Sequence, residues 1–175
     1  MAATTDEYFI RVIGHRIFGN KTLVERVSIG AHSDGNGIII DNFRNTQNKS
    51  KRGAFTGRTI VTNNPSANNV GSGIHSFLSD NVDIVYNTTC NNGQVLDYGE
   101  IFAFDSKNIR IVNNICAARP DRAINKLGKA GTNGDYRGNL YCGAHVNASY
   151  YADNNPTGEP LFLAPSINPS TAVFL

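Results

Sequence analysis

The segment Ser79-Asp80-Asn81-Val82-Asp83-Ile84-Val85-Tyr86-Asn87 and the segment Ser106-Lys107-Asn108-Ile109-Arg110-Ile111-Val112-Asn113-Asn114 are one nine-residue phrase written twice, 27 residues apart. A repeat of that length, with a short strand pattern and a closing asparagine, is too small to close a core by itself, so its copies must stack. Val82 and Ile84 in one copy, and Ile109 and Ile111 in the next, alternate with polar residues at period two. That spacing sends branched apolar side chains to one face of a strand. If each copy is one turn of a coil, equivalent residues lie about 4.8 Å apart in columns, and each column must tolerate its own neighbours. The opposite charges at equivalent positions, Asp80 with Lys107 and Asp83 with Arg110, suit such columns.

Asn87 and Asn114 close the two copies, and Asn63 closes a weaker third one, Thr59-Ile60-Val61-Thr62-Asn63. Asparagine tolerates left-handed turn geometry, and its amide can donate to one stacked neighbour while accepting from the other. Turns and ladders of this kind account for most of the 23 asparagines in the chain. A second column comes before the first: Gly37-Ile38-Ile39-Ile40-Asp41, Gly73-Ile74-His75-Ser76-Phe77 and Glu100-Ile101-Phe102-Ala103-Phe104, spaced 36 and then 27 residues. The extra nine residues are assigned to a polar, basic loop at 42–57 inserted in one coil. Gly and Asn interrupt every candidate helix. The expected fold is therefore all-β: a solenoid of about six short coils over residues 1–153, with an irregular, Pro-containing tail at 154–175 packed on the last coil.

A length of 175 residues suits one domain, and a net charge of +2 implies no nucleic-acid partner. No apolar run approaches the roughly 20 residues of a membrane span. The first residues, Met1 to Asp6, lack the basic-then-apolar profile of a signal peptide, so the sequence indicates no compartment. Cys90, Cys116 and Cys142 are 26 residues apart each time, which predicts free thiols in or near one interior column. No C-x-x-C pair of the kind zinc favours is present.

The phrases from Gly73 to Asn92 and from Asn108 to Ile115 resemble the repeats of right-handed parallel β-helix proteins of the pectate lyase-like superfamily, over roughly residues 10 to 165. Asp34-Gly35-Asn36-Gly37-Ile38-Ile39-Ile40-Asp41 is similar to a segment common in polysaccharide-lyase-like members. Gly158-Glu159-Pro160-Leu161-Phe162-Leu163 is similar to a closing segment of such proteins. The resemblance implies a right-handed parallel β-helix that acts on or binds carbohydrate, with an acidic polysaccharide as partner. Proteins of the superfamily are typically extracellular or periplasmic. Relatives usually carry more N-terminal coils and a capping helix, so the chain is expected to be a C-terminal portion of a larger β-helix or a naturally short one. Uncapped coil ends would then join into a homo-oligomer.

If Ile38, Ile74 and Ile101 point inward, then Ile39, His75 and Phe102 point outward, followed two residues later by Asp41, Phe77 and Phe104. Phe77, Phe102 and Phe104 form an aromatic strip suited to the apolar faces of sugar rings, or to covering by loops or a partner. His75 in that strip is a candidate acid or base. Glu100 is a candidate substrate contact, although the aspartate pair and Arg-x-Lys phrase of the fold's polygalacturonases are missing. By the resemblance, Asp34 and Asp41 would hold calcium, with amide oxygens from Asn36 and Asn42, and ordinary turn duty is the alternative. Elimination from a uronate would then need a base, for which Arg44, Lys49, Lys51 and Arg52 are candidates. Lys51 and its neighbours would otherwise attract an acidic polysaccharide without chemistry. The rival reading is a non-catalytic structural or adhesive β-helix that self-associates through its coil ends or its aromatic strip.

Overall fold

The structure, a computed structural model, describes residues 8–124, 134–143 and 155–160. Its strands, in chain order, are β1 (Tyr8–Ile13), β2 (Ile17–Phe18), β3 (Ile38–Asp41), β4 (Arg58–Thr62), β5 (Pro65–Ala67), β6 (Ile74–Phe77), β7 (Val82–Val85), β8 (Thr88–Cys90), β9 (Ile101–Phe104), β10 (Arg110–Val112), β11 (Ile115–Ala117), β12 (Asp135–Arg137) and β13 (Leu140–Cys142). None of the described residues is helical. The first sheet runs β1-β4-β7-β10-β12, the second β13-β11-β8-β5-β2 and the third β3-β6-β9. Every pairing between these strands is parallel. Three consecutive strands, such as β4, β5 and β6, make one turn and place one strand in each sheet. This is a parallel β-helix.

The repeated phrase pairs with itself in register: Asp83 opposite Arg110, Ile84 opposite Ile111 and Val85 opposite Val112. Period-two alternation therefore sends Val61, Ile84 and Ile111 into the same interior column, where all three are fully buried. Ile74 and Ile101 of the third sheet meet them in one apolar core. A stacked coil of this kind buries a continuous core although no single turn could close one. The stack continues past β13, because Thr157 bridges Tyr141 in parallel and Asn155 extends the asparagine column. The expected domain boundary at 153 and most of the tail fall outside the described residues.

A side-chain ladder holds each corner of the coil. Asn64, Asn87, Asn114, Asn139 and Asn155 stack after the first sheet, and the side-chain amides donate in sequence over 2.9, 3.1, 2.9 and 2.9 Å. From Asn87 onward each Oδ1 also accepts the backbone N–H of the asparagine one level before it, as Asn114 does from Asn87 at 2.8 Å, while Asn64 Oδ1 accepts from His15. Buried backbone donors at the turn are thus satisfied inside the protein. Serines serve the corner after the third sheet, where Phe43 N–H donates to Ser79 Oγ and Ser79 N–H donates to Ser106 Oγ.

Two sequence expectations need correction, and the expected juxtaposition of Asp80 with Lys107 gains a second cation. The ladder residue of the weak copy is Asn64, not Asn63, because Asn63 shares the left-handed turn position with Tyr86 and Asn113, at φ of 57°, 56° and 55°. The Asp80 carboxylate takes the backbone N–H of Lys107 at 2.7 Å, and Arg44 pairs with it as well. The cysteines do not share one interior column: Cys116 is buried beside Thr89 and Tyr141, whereas Cys90 and Cys142 flank Ala117 on the other side of their strands. All three are free thiols.

Candidate functional site

Gly73 brings β6 close against the second corner of the coil. A Cβ there would lie 2.7 Å from the carbonyl oxygen of Glu100 and 2.8 Å from the amide nitrogen of Asn92. From this anchor, β3, β6 and β9 run in strict register, with Ile39 beside His75 beside Phe102 and Asp41 beside Phe77 beside Phe104. Their outward side chains stack in two columns. The His75 and Phe102 rings lie parallel, with centroids 4.7 Å apart and planes 4° apart. Phe77 and Phe104 stack at 5.0 Å.

These columns floor an open groove of about 360 Å³, within the usual size range of small-ligand sites. Asp34, Arg26 and Ser33 border it from the segment before β3, and Tyr98 borders it from the segment before β9. The long inserted loop contributes Gln47, which donates to Asp41 over 3.0 Å. Asn42 holds that loop, its Oδ1 accepting the backbone N–H groups of Thr46 and Gln47 at 2.9 and 3.1 Å. The Asp41 carboxyl sits above the ordinary carboxylate range. Partial burial is the main cause and the neighbouring Asp34 charge adds to it, while the Gln47 hydrogen bond pulls the other way.

The structure thus gathers Asp34, Asp41, His75, Phe77, Phe102 and Phe104 around one space. It places the other sequence candidates elsewhere. Arg44 forks between Asp80, at 2.7 Å, and Asp105, at 3.0 Å. The hydrogen bond to Asp80 raises its pKa further, opposite to what a base requires. Lys51 is exposed and does not line the groove. Glu100 lies inside the coil, where its Oε1 accepts the backbone N–H of Asn92 at 2.9 Å, and it touches no groove space.

His75 is only 4% exposed. Burial pushes its pKa down to about 4, so the ring is neutral at neutral pH. Its Nδ1 lies against Ser72 Oγ, which also donates to Asn36 Oδ1 at 3.1 Å. This chain of contacts orients the ring, so His75 serves as a fixed wall. Asp34 and Asp41 are a sparse donor set for calcium, which takes 6–8 oxygens. No three His, Cys, Asp or Glu side chains group to hold a metal ion among the described residues.

Sequence reasoning missed Arg26, Ser33, Gln47 and Tyr98, which come from segments without periodicity. Only the distance of each segment from a strand start could have flagged them. Comparison with protein-family models, with curated proteins and with solved structures finds no match for this chain, so its functional reading rests on the groove's own geometry.

Proposed function

We propose that this chain is a carbohydrate-binding parallel β-helix of the pectate lyase-like kind, whose groove on the outer face of the third sheet receives a glycan. The observation that supports this most is the stacked pair Phe77 and Phe104, half-buried beside an open space edged by Asp34 and Asp41, with the buried His75–Phe102 pair as its wall. Flat aromatic faces take the C–H faces of sugar rings, and carboxylates at the edge accept from sugar hydroxyls. Binding ranks ahead of elimination because the arginine assigned as base is held by two carboxylates. The test is calorimetric titration with neutral and acidic oligosaccharides, comparing the wild type with Phe77→Ala and Phe104→Ala. The reading predicts heat with at least one glycan class that either substitution abolishes. Absence of heat across the panel would overturn it.

A second reading, self-association, is favoured by a different observation. Leu23, Val24, Val27 and Ile29 are all exposed, Val27 almost completely at 97%, in the segment that also supplies Arg26 to the groove. Apolar exposure of this density marks interaction surfaces. It predicts oligomers in sedimentation velocity that dissociate on Val27→Asp, with glycan titration silent.

A further inference from the structure

Among the described residues, Asp80, Asp83, Asp97, Asp105, Asp121 and Asp135 each lie within ion-pair distance of an arginine. Asp34 and Asp41 are the described aspartates without such a partner, and both border the groove of the third sheet. Charges that coil closure balances elsewhere are thus left unbalanced at one place, the space floored by Phe77 and Phe104.

Both carboxylates have room for a donor. Asp34 Oδ2 accepts the Ser33 hydroxyl at 2.8 Å and Asp41 Oδ1 accepts the Gln47 amide at 3.0 Å, which leaves each with a second oxygen for a ligand. Arg26 borders the same space but forms no ion pair with either, and its backbone is tied to Ala31 across a turn. Because His75 is neutral, the groove carries two negative charges against one positive. Burial is the larger influence on Asp41, Tyr98 and His75, but the Asp34 charge also acts on all three and raises their pKa values, so its field reaches across the groove. Parallel register places Asp41 in one column with Phe77 and Phe104. Its neighbour Phe77 is one strand spacing away, about 4.8 Å.

We propose that the glycan received by this groove carries a protonated amine: a short amino-sugar oligomer whose ammonium group is held by Asp34 and Asp41 while its ring rests on Phe77 and Phe104. The inference rests on the glycan reading above and adds the charge of the ligand. An ammonium donates charge-assisted hydrogen bonds to both carboxylates, and it gains from the negative faces of the adjacent rings. A sugar carboxylate in the same place would meet two like charges. The sign is opposite to that of the acidic polysaccharide implied by the sequence resemblance.

The test is titration calorimetry of the whole chain in mildly acidic buffer, which keeps the amines charged. The probes are the glucosamine tetramer of chitosan, the same tetramer fully N-acetylated, and tetragalacturonate. The amine form should bind roughly tenfold or more tighter than the acetylated form, because hydrogen bonds between charged groups are worth that much. That preference should shrink as salt rises. Asp34→Asn and Asp41→Asn should each remove most of it, and both variants should melt like the wild type because the two side chains are exposed. Phe104→Ala should weaken both tetramers alike. Equal or tighter binding of the acetylated tetramer or of tetragalacturonate would overturn the amine assignment and leave the glycan reading standing. A preference that survives both aspartate substitutions would overturn it as well. Silence with all three sugars would overturn the inference and the glycan reading together.

Discussion

The carboxylate of Glu100 stands where a third asparagine amide would continue the column begun by Asn69 and Asn92, accepting the backbone N–H of Asn92 at 2.9 Å and its side-chain amide as well. Asn69 donates to Asn92 in the same double fashion, at 3.1 Å from the backbone and 2.8 Å from the side chain. Glu100 thus ends the ladder with an acceptor that carries a titratable proton.

That exchange makes stability depend on pH. Burial raises the Glu100 pKa from 4.5 to about 7, against the hydrogen bonds from Asn92 that lower it. The folded state therefore holds the proton more tightly than the unfolded chain. Its contribution is fully present below pH 4.5 and is lost as pH rises through about 7. The displacement is worth on the order of 3 kcal/mol. Chemical denaturation from pH 4.5 to 8 should show wild-type stability falling relative to Glu100→Gln, which lacks the titration. Parallel profiles for the two proteins would remove the argument.

His75 contributes with the opposite sign. Burial lowers its pKa from 6.5 to about 4, so the stability it supports is present above pH 6.5 and is lost as pH falls through 4. An NMR titration of the ring carbons should find His75 still neutral at pH 5. A midpoint near 6.5 would mean that the ring is solvated and not stacked against Phe102.

The asparagine assignments separate two neighbours. Asn64→Ala removes an amide that accepts from His15 N–H at 2.8 Å and donates to Asn87 and to the Val12 carbonyl. It should destabilise by about 2–4 kcal/mol, because several buried partners lose a hydrogen bond. Asn63→Gly changes only an exposed left-handed position and should be within about 0.5 kcal/mol of wild type by the same urea melts. Equal losses at the two sites would show that the ladder has been placed on the wrong residue.

Gly73→Ala should be among the most damaging single-methyl changes in the chain, costing about 1–3 kcal/mol or more. The added Cβ meets the Glu100 carbonyl, the Asn92 amide and a Thr89 methyl, all within 2.9 Å. Two of these belong to backbone or to the ladder and have little room to yield. A melting temperature unchanged by the substitution would mean that β6 and β9 are less closely stacked than described.

The sequence and the structure agree most where residues repeat. Ile84 and Ile111, the outward order His75 to Phe102 and Phe77 to Phe104, and the loop between Asn42 and Gly57 were all legible, because a column constrains its members at every level. Asn63 was mistaken for Asn64 because both are turn residues and only the hydrogen-bond direction distinguishes them. The sequence offers Arg44 as a candidate base because Asp80 and Asp105 lie 36 and 61 residues away, and their convergence depends on coil closure. In the sequence Glu100 is indistinguishable from an exposed carboxylate, and nothing local reveals that it lies buried against Asn92. The Asp83–Arg110 pair expected from the columns is long for a related reason: Arg58 and Tyr8, also distant in the sequence, hold Asp83 as well.

The most direct test of the glycan groove is chemical-shift mapping of the isotopically labelled chain, titrated with whichever oligosaccharide of the calorimetric panel gives heat in the groove of the third sheet. The account predicts that the largest shifts fall on the ring signals of Phe77 and Phe104 and on the backbone of Asp41, with the first sheet silent. Shifts confined to Leu23, Val24, Val27 and Ile29, or no shifts on β6 and β9 at saturating sugar, would contradict it.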